Sequence, residues 1–257
     1  MHDGDADLAS ARMRLVASIG VALVAFVSAG AASAQDASGS RSLTYAAEER
    51  EDVKGALEFM GGASFFDVSK INERLAAAGY GELPSTALML GGHSHALAGR
   101  FTLGGSGAWF QSPETAGPPG LHARYEGGWG GFEVGYTLVD TAFVGFIPSL
   151  TVGGYGFDVA ISEVRTVSFD TMLKSPSRDV HMTQQGAFVS LALPIEMRVE
   201  TTHTRDGHTG LIVGFRPAAT LGIPIGDWTT PGGKALDAPK QGLNGGYLAI
   251  TIGAGGW

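Results

Sequence analysis

Hydrophobic and polar positions alternate with a period of two over most of the chain beyond Leu57. Between 186 and 200, Ala187, Val189, Leu191, Leu193, Ile195, Met197 and Val199 form one wholly apolar row. The opposite row reads Phe188, Ser190, Ala192, Pro194, Glu196, Arg198, Glu200. Between 209 and 225, Leu211, Val213, Phe215, Pro217, Ala219, Leu221, Ile223 and Ile225 are all apolar, and Gly214, Arg216 and Thr220 lie among their alternates. Phe101, Leu103 and Trp109 oppose Arg100, Thr102 and Ser106 in the same way. Strict alternation describes a sheet whose two faces meet different environments. Read throughout, it predicts strands over 57–66, 85–95, 99–110, 122–138, 143–160, 186–200, 209–225 and 245–257.

The connections divide into two kinds. Short ones lie around His95–Ala98, Val139–Ala142 and Thr201–His208, and the others are long, the longest being 163–185 and 226–244. Short turns at one end and long loops at the other are the layout of an outer-membrane β-barrel. The expected fold is therefore all-β: an eight-stranded antiparallel up-and-down transmembrane barrel with both ends on the periplasmic side. In the first long loop Val68, Ile71, Leu75 and Ala78 recur at helical spacing, with Asp67 or Ser69 as N-cap and Gly79 as stop. They predict a short helix, read as closing the barrel mouth in preference to serving as a lid.

Three segments follow. Met13-Arg14, the apolar run Leu15–Val27 and Ala32-Ser33-Ala34 before Gln35 form the three-part pattern of an export signal. Asp3, Asp5 and Asp7 precede it, so the expected start is Met13 and the expected cleaved segment is 1–34. Residues 35–56 read as a polar periplasmic lead-in carrying Glu48-Glu49-Arg50-Glu51-Asp52, and 57–257 as the barrel.

Composition narrows the function. The chain has 257 residues, 40 glycines, 16% charged residues and a net charge of −8. Glycine is about 7% of an average protein, and here it is interleaved with aromatic and aliphatic residues, which suits closely packed strands. An acidic chain without a basic stripe is a poor nucleic-acid binder. With no cysteine, disulfides, thiol catalysis and N-terminal lipidation are excluded. Glycine pairs such as Gly104-Gly105 and Gly153-Gly154, and Gly127-Gly128-Trp129-Gly130-Gly131, lack the strand-loop-helix context of a phosphate cradle.

The expected inward charges are Arg124, Glu126, Glu133, Glu196, Arg198 and Arg216, of mixed sign and read as a mutually neutralising network. Val189, Leu191, Leu193, Val213 and Leu221 are expected to face lipid. His93 and His95 share a strand face and could hold a metal together, but no third ligand is evident, and Ser94 points the other way. His203, Asp206 and His208 read as turn residues around Asp206-Gly207; Asp179 and His181 suggest no chemistry. No catalytic set, metal centre or cofactor is assigned.

Phe146-Ile147-Pro148-Ser149-Leu150-Thr151-Val152-Gly153-Gly154-Tyr155-Gly156 resembles a strand common in small outer-membrane barrels of the outer-membrane protein A type, and Gly214–Ala219 echoes it. Trp257 is similar to the C-terminal aromatic residue that barrel-assembly machinery recognises there. The resemblance implies outer-membrane lipid, periplasmic chaperones and that machinery as partners. The sequence departs from it in two ways. Residues alternating back from Trp257 are Gly255, Gly253, Thr251, Ala249 and Tyr247, so a bulge is expected or the assembly signal is weak. Pro148, Pro194, Pro217 and Pro224 also fall inside strands.

The leading expectation is a non-enzymatic barrel with a structural or loop-presenting role and at most a narrow pore. The alternatives are a lipid-modifying barrel enzyme and a secreted soluble barrel for a hydrophobic ligand. Alternation alone fits both orientations; the loop asymmetry and Trp257 favour the membrane.

Overall fold

The computed structural model describes residues 54–163, 179–204 and 207–257. The segment read as an export signal, nearly all of the expected lead-in, most of the third long loop, and Asp206 lie outside the described residues. What is described is all-β and antiparallel, with one short helix.

The strands are β1 (Lys54–Phe66), β2 (Thr86–Ala98), β3 (Phe101–Gln111), β4 (Thr115–Ala116), β5 (Leu121–Tyr136), β6 (Val139–Asp140), β7 (Val144–Phe146), β8 (Ser149–Glu163), β9 (Val180–Ala192), β10 (Ile195–Thr204), β11 (Gly207–Thr230), β12 (Gly233–Lys234) and β13 (Gly245–Gly256). The helix α1 (Ser69–Ala77) follows β1. Partners run β1–β2–β3–β5–β8–β9–β11–β13, and β13 pairs with β1 again.

The prolines explain why some strands are broken. Ser149 lies opposite Ala192, and Phe146 opposite Ile195, so β7 with β10 carries on the register of β8 with β9. The gap holds Ile147-Pro148 on one side and Leu193-Pro194 on the other. Proline cannot donate to a ladder, so both interruptions fall at one level. The amides that remain are satisfied: Ile147 N donates to the Pro194 carbonyl at 3.3 Å, and Leu193 N to the Pro217 carbonyl at 2.9 Å. The β5–β8 connection is a turn at 141–143, where Thr141 N donates to the Val144 carbonyl at 3.0 Å and Val144 N to Thr141 Oγ1 at 2.9 Å.

Helix α1 buries three of the four residues of the expected stripe: Val68, Ile71 and Leu75 join a core cluster with Phe66, Leu83, Phe110 and Trp228, while Ala78, at the C-cap, is exposed. Its N-cap differs from expectation. Val68 occupies that position without a side-chain cap. Asp67 Oδ1, one residue earlier, accepts from Ser69 N at 3.1 Å and Ser69 Oγ at 2.6 Å. These bonds hold the Asp67 carboxyl below its ordinary range. Asn72 ties the helix to the following segment, accepting from Leu83 N at 2.8 Å and donating to the Leu83 carbonyl at 3.0 Å. Gly79, at φ +82°, ends it as expected.

The buried face is stratified. Toward the long loops it is aromatic and apolar: Phe66, Met89, Phe110, Tyr125, Trp129, Tyr155, Phe157, Phe188 and Tyr247. Tyr125 stacks on Phe157 with centroids 5.2 Å apart, and Trp129 on Tyr247 at 5.4 Å. Toward the short turns the same strands continue as Glu58, His93, Thr102, Ser106, Glu133, Thr151, Glu196, Arg198, Arg216 and Thr251, all buried. Bare backbone makes room for the large rings: a Cβ on Gly127 would sit 2.7 Å from the Phe110 ring.

Candidate functional site: the buried polar layer

Alternation delivers each polar side chain to the enclosed face, and the ladder registers bring them together. Glu58 in β1 lies directly opposite His93 in β2. His95 follows two residues on, on the same face, and the two imidazole centroids are 5.0 Å apart. His93 Nε2 lies 3.1 Å from Glu133 Oε1. The other Glu133 oxygen accepts from Arg216 Nη2 at 2.5 Å and Thr151 Oγ1 at 3.1 Å. Arg216 also donates to the Tyr247 hydroxyl at 3.2 Å and Ser149 Oγ at 3.4 Å. Five strands thus converge on one carboxylate–guanidinium pair.

A second pair lies nearer the turns. Arg198 donates to Glu196 Oε2 at 3.2 Å and to Asp140 Oδ1 at 2.6 Å, Asp140 being half exposed beside the 141–143 turn. The guanidinium carbon sits 5.6 Å from the centroid of the Trp257 ring. A Cβ on Gly145 would come within 2.6 Å of Arg198 Nη2, so a side chain there would push the guanidinium away from the carboxylates of Glu196 and Asp140.

Charge does not balance with neutral imidazoles. Glu58, Glu133 and Glu196 are enclosed against Arg198 and Arg216, which leaves one negative charge over. Buried charge is costly unless paired, so the layer calls for one more positive charge, either a proton on His93 between Glu58 and Glu133 or a bound cation.

The six expected inward charges separate. Glu133, Glu196, Arg198 and Arg216 are buried. Arg124 and Glu126 are not among them and must be corrected: they are about one-third exposed and pair with each other at 3.5 Å, and Arg124 with Glu114 at 3.4 Å. The β5–β8 register is unbroken from Leu121 to Gly135. In such a strand even positions cannot share a face with Glu133. The aliphatic row is turned outward: Leu191 and Leu221 are 51% and 59% exposed, Val189 and Leu193 are exposed too, and Val213 is half-buried.

No bulge occurs in β13: its registers with β1 and β11 run without a shift. Trp257 consequently lies on the buried row with Tyr247 and Thr251, while Leu248, Ile250 and Ile252 are exposed. His208 Nδ1 lies 3.0 Å from Glu200 Oε2 near the β10–β11 turn, away from the buried layer. His181 is half-buried in β9 and Asp179 exposed just before it.

Sequence reasoning missed Glu58. Its signal was present, since Glu58, Met60 and Ser64 share one parity, but a lone acidic residue at a strand start reads as a solvated end. Neither a protein-family model nor a curated protein matches this chain.

Proposed function

We propose that the chain is an eight-stranded up-and-down β-barrel of the bacterial outer membrane, with a structural or loop-presenting role and at most a narrow conducting path. The ring of pairings supports the count, because β6 extends β5, β7 extends β8 and β10 extends β9. One observation carries the reading: the polar layer is enclosed while apolar rows face outward on all the long strands. Phe59, Leu90, Leu103, Phe132, Val152, Leu191, Leu221 and Ile250 are each about half exposed or more. A soluble ligand-binding barrel would have the reverse orientation, and contiguous apolar surface of this extent marks contact with a partner or a membrane. Hydrocarbon is the partner that fits rows running all the way round. The aromatic layer and the ion pairs fill an interior that eight strands make narrow, which argues against a general porin.

Membrane fractionation with heat-dependent gel mobility tests the placement: recovery in the outer membrane with a mobility change on boiling is expected. A detergent-independent soluble product overturns it. In planar bilayers no steady porin-sized conductance is expected; large, persistent channels would remove the closed-interior reading.

A further inference from the structure

Three buried side chains offer lone pairs to one point. Glu58, His93 and His95 each present a ligand atom, and the three atoms lie within 4.8 Å of one another. All three residues are nine-tenths or more buried. Two of those atoms have no hydrogen-bond partner: Glu58 Oε1 and His93 Nδ1 face each other across 3.6 Å. With a neutral His93 whose Nε2–H donates to Glu133, Nδ1 is an acceptor facing a carboxylate oxygen, also an acceptor. Either a second proton on the imidazole or a metal cation removes that conflict, and His95 beside them supplies the further donor that a metal needs.

We propose that Glu58, His93 and His95 form a binding site for one divalent transition-metal ion of the zinc type. Two imidazole nitrogens and one carboxylate oxygen are a known zinc donor set, with a fourth position left open. Ligands about 2.1 Å from one tetrahedral ion lie about 3.4 Å from each other. Atoms up to 4.8 Å apart therefore have to draw together by up to roughly 1.4 Å on binding. The surroundings are also those of a metal site. A ligating histidine ordinarily donates its other ring N–H to a carboxylate, which fixes its tautomer; Glu133 is in that position here, itself held by Arg216 and Thr151. The inference goes beyond the proposed function, since it needs the enclosed face and not the membrane.

The test uses the untagged full-length protein, folded in detergent and judged folded by heat-dependent mobility. Zn2+ is titrated by calorimetry, and Co2+ by its visible ligand-field bands. One ion per chain is expected. Glu133→Gln should weaken binding by about 10–100-fold, as loss of an outer-shell partner does, and Glu58→Gln and His95→Asn should weaken it more. His95→Asn serves if Glu58→Gln does not fold. The double variant His122→Asn/His208→Asn should bind as the parent does. Folded parent protein that takes up no Zn2+ overturns the proposal. So does binding that survives both Glu58→Gln and His95→Asn, or that disappears in the His122/His208 variant.

Discussion

Arg216 is the residue on which most of the buried layer depends. Only 1% of it is accessible, and its charge is answered by Glu133. Removing one member of a buried ion pair leaves the other uncompensated and costs about 3–5 kcal/mol. Glu133→Ala is therefore expected to lower stability by that amount in urea unfolding from lipid vesicles. Glu133→Leu combined with Arg216→Met should cost less than the two single changes added together, with a coupling on the order of 1–3 kcal/mol. Arg124→Ala, by contrast, touches a solvent-screened pair and should change stability by less than about 1 kcal/mol. Equal effects at Glu133 and Arg124 would mean that the two carboxylate clusters share one environment.

At the scale of elements, the proline level and the 141–143 turn set how the sheet is finished at its short-turn end. Pro148 and Pro194 break neighbouring strands together, so a single local gap replaces two separate ones. The chain then resumes its register, and β7 lies over the Glu196–Arg198 pair. Gly145 is the point of closest approach. Gly145→Val overpacks it, at a cost of about 1–3 kcal/mol, and should loosen β7 rather than the whole sheet. Hydrogen exchange should report this as faster exchange at Val144 and Phe146, with β1 to β3 unchanged. Uniform acceleration across all strands would show that the turn is not a separable unit. Helix α1 belongs to the opposite end, where Ile71 and Leu75 join the aromatic layer.

For the whole molecule the decisive quantity is the medium around the outer rows. Leu191→Arg is expected to cost about 2–4 kcal/mol if that position lies near a bilayer midplane. In water a substitution at such a half-exposed site would stay within about 0.5 kcal/mol. Folding yield into vesicles, set against the parent, distinguishes the two. An unchanged yield would remove lipid from the account. Trp257 enters at this scale as well. It lies inward over Arg198 instead of extending the outer apolar row, so the C-terminal strand does not present the aromatic residue outward in the closed sheet.

The amino-acid sequence by itself determined strand identity, the two-faced character of each strand and the position of α1, because these depend on local periodicity and turn chemistry. It also contained the parity that sets Arg124 and Glu126 apart from Glu133, although pooling the charges of one strand hides it. The grouping of Glu58 with His93, and of Glu133 with Arg216, was decided only by tertiary structure. Those partners come from different strands, and which residues meet depends on the register of every ladder between them, a sum that no local pattern encodes.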